Sequence, residues 1–344
     1  MMTDTELEAL GVVRDAELAP LTTFAVPARA AYLARVESVE ALRRVLSSPL
    51  AQLPRLVLGG GSNLLLTRDF DGLVIRMEIK GIELAADDEQ GRTLVIGAGC
   101  GWSETVDELL SRGWGGLENL ALVPGTVGGA AVQNIGAYGL EAAERIVSVD
   151  CINARTLEER TFDVSECDYG YRTSIFKNPE YADWIVTRVA LRLPRAFEPR
   201  TGYKELAALF AGAAPESPLQ VAEAVKALRR RKLPDPKVLP NAGSFFKNPV
   251  VSRVKQRHLL EDMPQLVSYP LAGGRAKLAA GWLIEAVGMK GARMGRAGVY
   301  ERQALVLVNL GGATGAEIKA LADEVARKVW LRFGVKLEPE PVIV

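Results

Sequence analysis

The stretch 115–139 carries a glycine every few residues and one charged side chain, Glu118. Because glycine loses more conformational freedom on folding than any other residue, such a run needs a structural reason. One reason is close approach of backbone N–H groups to a large anionic ligand, since nests of N–H groups bind phosphate without a lysine. The other is a tight-turn region between buried strands. Composition alone leaves both interpretations open.

A second glycine cluster follows a short apolar run. Residues Arg55–Leu58 predict a buried strand, which leads directly into Gly59-Gly60-Gly61-Ser62-Asn63. A strand, a glycine turn and then Ser or Asn are typical of a cradle for a pyrophosphate group. Because neither glycine loop contains the lysine of a P-loop, the two loops together favour a dinucleotide held mostly by backbone groups.

A third glycine turn is close to the Rossmann fingerprint but departs from it. Residues 94–101 predict a strand and a glycine turn, and residues 103–110 predict a helix. Trp102 stands where the fingerprint requires its third glycine, and the only acidic candidate after it, Glu118, lies inside the first glycine loop. We therefore interpret this segment as an ordinary strand-to-helix turn.

The charge balance and length exclude several classes of protein. Lys+Arg and Asp+Glu both number 42, giving a formal net charge of +0. This balance argues against binding to nucleic acid or to a membrane surface, which usually needs a basic excess. No apolar run approaches the ~20 residues that span a bilayer, and the acidic N-terminus does not have the pattern of a signal peptide. The 344 residues predict two or three domains.

Histidine and cysteine usage narrows the chemistry further. Cys100, Cys151 and Cys167 lie outside any C-x-x-C pair, so we expect no disulfide, no cysteine metal site and a cytoplasmic location. The single histidine, His258, lies in a segment with the pattern of an amphipathic surface helix and is expected to be solvated. Acid–base chemistry is then left to Ser, Tyr, Lys, Glu or Asp.

Short strands and helices are mixed along the chain, which predicts the α+β class. The candidate strands are 55–58, 72–76, 93–97, 146–152, 184–193 and 304–309. The candidate helices are 38–47, 102–111, 219–231, 278–287 and 315–333, the last with Thr314 as its N-cap. Connectors at 194–199 and 211–218 flank an isolated element around Tyr203.

Three further motifs complete a set with a specific order. They are YGYRTSIF at 169–176, NAGSFFKNP at 241–249 and LEPE at 337–340. Together with the two glycine loops, they resemble the UDP-N-acetylenolpyruvoylglucosamine reductase family in its longer, type I form, over residues 22–340.

This resemblance implies a p-cresol methylhydroxylase-type FAD-binding fold in two subdomains plus a separate α/β substrate-binding domain. The implied boundaries are 1–197 for the FAD-binding domain (subdomains about 1–78 and 79–197), 198–333 for the substrate domain, and 334–344 for a C-terminal strand that returns to the active site.

The resemblance also implies the reaction. NADPH reduces a noncovalently bound FAD, which then delivers hydride to the enolpyruvyl double bond of UDP-N-acetylglucosamine enolpyruvate. The product is UDP-N-acetylmuramate, a peptidoglycan precursor. We expect a monomer, with no metal, nucleic acid or membrane among its partners.

Three residues carry the implied catalysis. Arg172 lies in an apolar-flanked motif, where its fork can bind a carboxylate bidentately and stabilise charge that develops during hydride addition. Ser244 follows small residues and precedes two phenylalanines; the resemblance makes it the proton donor. Glu340 is implied to be the partner of Arg172 in stabilising the enol.

The resemblance assigns the remaining residues to the two ligands. The implied cofactor-binding residues are Gly59, Gly60, Gly61, Ser62, Asn63, Pro124, Gly125, Thr126, Gly128, Gly129, Asn134, Gly136, Ala137 and Tyr138. The implied substrate-binding residues are Tyr203, Lys232, Asn248, Tyr269, Lys277 and Gln303. Among them, Tyr203 would close over the nucleotide as a lid, and Lys277 would suit the diphosphate. The basic run 229–232 also has a purely structural interpretation, because it closes a helix at the negative end of the dipole. Arg296 is bulkier than the small residue usual in the family, and it either contacts phosphate or points to solvent.

Two rival functions differ in their requirements. An FAD oxidase of the same fold often tethers the flavin through His or Cys, and the position of His258, far from the glycine loops, argues against it. A nucleotide-sugar-binding protein without activity would not need Arg172, Ser244 and Glu340 together.

Overall fold

The computed structural model describes residues 2–344, and the chain forms two compact units. Unit 1 contains the chain up to Ala16, Ala30–Gly61 and Phe70–Arg231. Unit 2 contains Glu17–Arg29, Ser62–Asp69 and Lys232–Val344. Each unit is therefore assembled from segments that are far apart in the sequence.

The helices and strands mix along the whole chain, which confirms the predicted α+β class. The helices are α1 (Asp4–Ala9), α2 (Val39–Leu46), α3 (Trp102–Ser111), α4 (Val127–Gln133), α5 (Lys204–Leu209), α6 (Pro218–Lys232), α7 (Arg253–Asp262), α8 (Ala280–Ala286) and α9 (Gly315–Phe333). The strands are β1 (Val12–Glu17), β2 (Arg29–Val36), β3 (Arg55–Leu58), β4 (Leu64–Leu65), β5 (Phe70–Met77), β6 (Ile82–Asp87), β7 (Gly91–Gly97), β8 (Gly136–Ala137), β9 (Leu140–Glu141), β10 (Ile146–Asn153), β11 (Glu159–Asp163), β12 (Trp184–Pro194), β13 (Asn241–Ser244), β14 (Val250–Ser252), β15 (Ser268–Leu271), β16 (Arg275–Leu278), β17 (Arg293–Met294), β18 (Ala297–Val299), β19 (Val306–Asn309) and β20 (Val342–Ile343).

Two sheets organise unit 1. The first has the order β1-β2-β5-β3, and both β2 and β3 run parallel to β5. The second has the order β11-β10-β12-β7-β6 and is antiparallel throughout. Apolar side chains from both sheets and from the helices between them form one buried cluster, which includes Ile75, Ile96 and Val189.

The antiparallel sheet settles the question of the third glycine turn. β7 pairs antiparallel with both β12 and β6, whereas a Rossmann fingerprint belongs to a parallel βαβ unit. Trp102 opens α3 and is buried, with its indole Nε1 donating to Leu120 O at 3.1 Å. The interpretation as an ordinary strand-to-helix turn is therefore confirmed.

Helix α6 packs within unit 1. Its residues Val221, Val225 and Leu228 belong to the buried cluster of that unit. The ammonium group of Lys226 lies 2.8 Å from Asp107 Oδ1 on α3 and 2.9 Å from Glu223 Oε1. The compact unit thus extends to Arg231, beyond residue 197, where the sequence-based boundary of the FAD-binding domain was placed.

Unit 2 contains two small antiparallel sheets and a two-stranded parallel pair. The sheets have the orders β13-β19-β18-β17 and β14-β16-β15, and β20 pairs with β4. Helix α9 begins at the N-cap Thr314, whose hydroxyl accepts from Glu317 N at 3.2 Å, as predicted. It ends at Gly334, which adopts φ 59° as helix C-caps often require.

The longer predicted elements are all present. The strand 55–58 and the helices 102–111 and 315–333 have the predicted bounds. Helix α8 begins two residues after its predicted start because Leu278 is the last residue of β16. The sequence did not predict α4, which lies inside the first glycine loop, or most of the short strands of unit 2. It also did not predict α1 or the strands β1, β2, β6 and β11. Among residues 2–344, no helix has the length and apolarity needed to cross a membrane.

Candidate functional site

The two glycine loops meet inside unit 1. A Cβ on Gly59 would lie 2.5 Å from Thr126 Oγ1, and a Cβ on Gly60 would lie 2.6 Å from Gly125 Cα. Side chains at these positions would force the loops apart. Part of the glycine requirement therefore comes from the contact between the loops themselves.

The meeting point presents backbone donors. The N–H groups of Gly60, Gly125 and Thr126 donate no hydrogen bond to any residue that the structure describes. The N–H of Gly128 donates to Ala98 O at 2.9 Å, and that of Gly129 to Thr126 Oγ1 at 3.3 Å. Some of the predicted cofactor-binding positions thus have donors available for an anionic ligand, while others use theirs to shape the loop. The donor set fits a pyrophosphate held by backbone groups.

Arg172 lies beside the end of α4. Its Nη2 donates to Gly136 O at 2.6 Å, and its Nη1 to Asn134 O at 3.5 Å. Its own backbone has φ 56°, in the left-handed region that non-glycine residues rarely adopt. The structure therefore brings the predicted carboxylate-binding arginine to two of the predicted cofactor-binding residues.

The side chain of Asn134 holds this region together. It is buried, and its Nδ2 donates to Glu141 Oε2 at 3.0 Å and to Gly170 O at 2.9 Å. Its Oδ1 accepts from Ala143 N at 3.0 Å. The amide thus joins the loop that follows α4 to the turn that contains Arg172.

Tyr203 and Tyr138 are neighbours in unit 1. Their rings pack edge to face with centroids 5.1 Å apart. Tyr203 is about half exposed, at 44%, and its carbonyl accepts from Ala207 N in the first turn of α5. Burial raises the pKa of the Tyr138 phenol above its ordinary value. A residue predicted to contact substrate thus packs against one predicted to contact the cofactor.

Ser244 lies at an irregularity in the sheet of unit 2. The register between β13 and β19 shifts between Asn241 and Ser244, and Gly243 adopts φ 69°. Asn241 creates this geometry, because its Oδ1 accepts from Gly243 N at 2.8 Å while its Nδ2 donates to Leu239 O at 2.8 Å. β-bulges of this kind re-aim side chains near active sites. The Ser244 hydroxyl makes no hydrogen bond to any described residue.

Two buried aromatic rings follow Ser244. Phe245 and Phe246 are 0% and 2% exposed, and their centroids lie 5.1 Å apart. Phe245 also packs against Phe24 at 6.2 Å. The residues directly after the serine are therefore anchored in the apolar interior.

The C-terminal tail runs back beside this segment. Glu340 N donates to Phe245 O at 2.8 Å, and Lys247 N donates to Glu338 O at 2.9 Å. Farther along, Val342 N donates to Asn63 O at 2.9 Å, and β20 pairs in parallel with β4. The tail therefore forms a paired strand over Val342–Ile343, and its return to the active site stays a prediction. Phe245, the partner of Glu340 N, is the residue that follows Ser244 in the chain. The carbonyl oxygen of Glu340 also accepts from Asn63 Nδ2 at 3.2 Å.

Among the remaining predicted substrate residues of unit 2, two lie opposite each other on neighbouring strands and the others lie apart from them in the sequence. Tyr269 on β15 is directly opposite Lys277 on β16, so the two side chains share one face. Asn248 Oδ1 accepts from Ala280 N at 3.0 Å at the start of α8, and Gln303 Oε1 accepts from Leu305 N at 3.4 Å. Lys232 is the last residue of α6.

Arg296 and His258 are exposed. The Arg296 Nη1 donates to Gly312 O at 3.5 Å, and its backbone N–H donates to Glu317 Oε1 at 3.4 Å. Arg296 therefore lies beside the start of α9. His258 lies on α7 and is exposed, as predicted.

The cysteines are free thiols and all three are buried. Burial raises the pKa of the Cys167 thiol to about 11, and it raises that of Cys151 further. Since the thiolate is the reactive form, neither side chain has the properties of a nucleophile.

Two contributors to the site were missed in the sequence. Arg229 donates through Nε to Leu122 O at 3.2 Å, and burial lowers the pKa of its guanidinium. Its spacing from Val221 and Val225 on α6 could have shown that it shares their inward face. Asn241 was read only as part of a motif, although an Asn two residues before a glycine is a recognisable turn signal.

Family models match both halves of the chain. A model described as an FAD binding domain matches residues 30–157. A model described as the C-terminal domain of UDP-N-acetylenolpyruvoylglucosamine reductase matches residues 235–344.

Curated proteins and a solved structure are similar over nearly the full length. UDP-N-acetylenolpyruvoylglucosamine reductases from Azoarcus sp. (strain BH72) and Chromobacterium violaceum are each 49% identical to this chain, over 97% and 96% of it and 98% of each relative. The crystal structure of UDP-N-acetylenolpyruvylglucosamine reductase from Thermus caldophilus aligns with a TM-score of 0.65 at 27% identity, over 96% of this chain and 97% of that one.

Proposed function

Because this chain belongs to the UDP-N-acetylenolpyruvoylglucosamine reductase family, we propose that it reduces the enolpyruvyl double bond of UDP-N-acetylglucosamine enolpyruvate. The product is UDP-N-acetylmuramate, the reductant is NADPH and the cofactor is FAD. The observation that carries this proposal is 49% identity over 97% of the chain to a protein of that name. The FAD-binding model over residues 30–157 supports the cofactor independently.

The glycines of the two loops, all in unit 1, fit the pyrophosphate of an FAD. A bound FAD would supply the hydride-transfer chemistry between NADPH and the enolpyruvyl double bond. We propose that the two glycine loops hold its pyrophosphate, which is supported by the available N–H groups of Gly60, Gly125 and Thr126. The proposed cofactor-binding set remains Gly59–Asn63, Pro124–Thr126, Gly128, Gly129, Asn134 and Gly136–Tyr138.

We propose that Arg172 binds the carboxylate of the enolpyruvyl group. Hydride addition to a double bond conjugated with a carboxylate moves negative charge into that group. A fixed guanidinium then stabilises the transition state more than the ground state. Support comes from the contacts with Gly136 O and Asn134 O, which fix the orientation of the fork.

Proton donation is assigned to Ser244 and stabilisation of the enol to Glu340. The carbon next to the hydride acceptor must gain a proton, and a serine hydroxyl can donate it only to a strong base held beside it. Support for Ser244 comes from its position at the bulge before two buried phenylalanines. Support for Glu340 comes from the hydrogen bond between its backbone and Phe245 O.

We propose six residues as contacts of the UDP-sugar. Tyr203 would cover the nucleotide, and Lys277, opposite Tyr269 on one strand pair, would bind the diphosphate. Lys232, Asn248 and Gln303 complete the proposed set.

We also propose that the protein is a cytoplasmic monomer. We keep the functional division into an FAD-binding domain (1–197), a substrate domain (198–333) and a returning strand (334–344). Helix α6 packs in unit 1, and its last residue is the proposed substrate contact Lys232.

The experiment is an anaerobic assay with purified FAD-loaded protein, NADPH and UDP-N-acetylglucosamine enolpyruvate. Loss of NADPH absorbance should require the enolpyruvyl sugar, and the product should be two hydrogen masses heavier than the substrate. Consumption of oxygen with another small alcohol or acid, and no reaction with the enolpyruvyl sugar, would contradict the proposal in favour of an oxidase.

A further inference from the structure

The turn that carries Arg172 has a conformation that needs external support. Gly170 and Thr173 form an isolated bridge, with hydrogen bonds of 3.1 and 3.2 Å between their backbones. Arg172 lies within this turn at φ 56°. A long side chain is disfavoured in the left-handed region because its Cβ crowds the following carbonyl. Such residues persist only where surrounding contacts fix them, and they cluster at ligand-binding positions.

Lys177 supplies such a contact directly. Its ammonium group donates to the carbonyl oxygen of Arg172 at 3.1 Å and to Gln133 Oε1 at 2.9 Å. Gln133 is the last residue of α4. One charged group therefore ties the backbone of the strained residue to the helix end that also receives the guanidinium of Arg172.

Neighbouring bonds attach the rest of the turn to the same helix end. Ser174 Oγ donates to Val132 O at 2.7 Å, and Asn134 Nδ2 donates to Gly170 O at 2.9 Å. These two bonds hold the flanks of the turn. The bond from Lys177 reaches the carbonyl of Arg172 itself.

We propose that Lys177 is a positioning residue for the carboxylate-binding arginine. This inference rests on the proposed function, in which Arg172 binds the enolpyruvyl carboxylate. Bidentate recognition of a carboxylate depends on a fixed, planar fork. Lys177 maintains that fork by holding the left-handed backbone from which the side chain projects. Its contribution is therefore specific to ligands that carry the carboxylate.

The test compares two ligands that differ in this group. Isothermal titration of FAD-loaded protein without NADPH gives the dissociation constants of UDP-N-acetylglucosamine enolpyruvate and of UDP-N-acetylglucosamine. Their ratio measures the affinity that is due to the enolpyruvyl group. In Lys177→Met we expect this ratio to fall about tenfold, the scale of one lost hydrogen bond to a charged group. The constant for UDP-N-acetylglucosamine should stay unchanged, and Lys177→Arg should restore part of the ratio.

Two further variants separate the explanations. Lys226→Met removes a lysine of unit 1 that joins α6 to α3, and it should leave the ratio unchanged. Adding Lys177→Met to Arg172→Met should cause no further loss, because a positioning residue acts only through its partner.

The outcomes are distinguishable. If Arg172→Met leaves the ratio intact, the proposed role of Arg172 fails. If Arg172→Met lowers the ratio and Lys177→Met does not, only the positioning role of Lys177 is overturned. Equal weakening of both ligands in Lys177→Met, or an additive loss in the double variant, would also overturn it and assign Lys177 a general structural role.

Discussion

At the scale of single residues, Ser244 shows how an ordinary side chain becomes a candidate acid. A serine hydroxyl is far too weak an acid to protonate most bases, so its role depends on what lies beside it. The bulge made by Asn241 and Gly243 sets its direction, and its hydroxyl makes no hydrogen bond to any described residue. The hydroxyl is therefore available to donate its proton to a bound ligand.

Replacing Ser244 with alanine should separate the two halves of the reaction. Flavin reduction by NADPH should stay near normal, because it needs no proton from this residue. Reoxidation of the reduced flavin by the enolpyruvyl sugar should slow by about 10²–10⁴-fold, the usual scale for a positioned proton donor. Stopped-flow absorbance, with each half-reaction followed separately, is the measurement.

Ser244→Cys is the matched control, since a thiol can also donate a proton and should recover part of the lost rate. A variant Ser244→Ala that slows flavin reduction but leaves reoxidation intact would instead make Ser244 a packing residue.

At the scale of elements, the C-terminal tail unites distant parts of unit 2. It pairs with residues 245–247 on one side and with β4 on the other. Prolines at 339 and 341 restrict the backbone around Glu340. Glu340 is thus fixed by main-chain bonds that do not depend on its own carboxylate.

Glu340→Gln tests the carboxylate while keeping the backbone bonds of the tail. We expect FAD content and reduction by NADPH to stay near normal, and reoxidation by substrate to fall by about 10²-fold or more. Deletion of residues 338–344 should cause at least as large a loss, since it also removes the pairing with Phe245 and β4. Turnover at the normal rate in both variants would show that the tail is only a terminal strand.

At the scale of the whole molecule, His258 and the three buried cysteines are the side chains to consider for a covalent flavin link among the described residues. His258 is exposed on α7, which belongs to unit 2. Burial raises the thiol pKa of both Cys151 and Cys167. We therefore expect the cofactor to be held by noncovalent contacts, chiefly those of the backbone.

Acid precipitation of the purified yellow protein should release FAD into the supernatant. Absorbance near 450 nm and mass spectrometry of the supernatant identify it. Protein from which the flavin has been removed, precipitated in the same way, serves as the reference. Flavin that remains in the pellet, or a native protein without colour, would contradict both the noncovalent mode and the glycine-loop cradle.

The sequence by itself determined the local elements and the motifs. Apolar periodicity and caps located β3, α3 and α9 with their observed bounds, because these elements depend on neighbours within a few residues. Order and spacing of the motifs led to the family. The apolar, proline-stiffened tail after α9 led to the expectation of a docked strand, and residues Val342–Ile343 pair with β4.

Only the tertiary structure decided which distant residues meet. It showed that Gly59 and Gly60 are small because Thr126 and Gly125 press against them, which no local pattern could distinguish from contact with a ligand. It also showed that α6 packs in unit 1 up to Arg231. It further showed that Lys177 donates a hydrogen bond to the carbonyl oxygen of Arg172. Such contacts join residues that are far apart in the sequence. They form because the whole chain packs together, and the free energy of that packing cannot be inferred from any short segment.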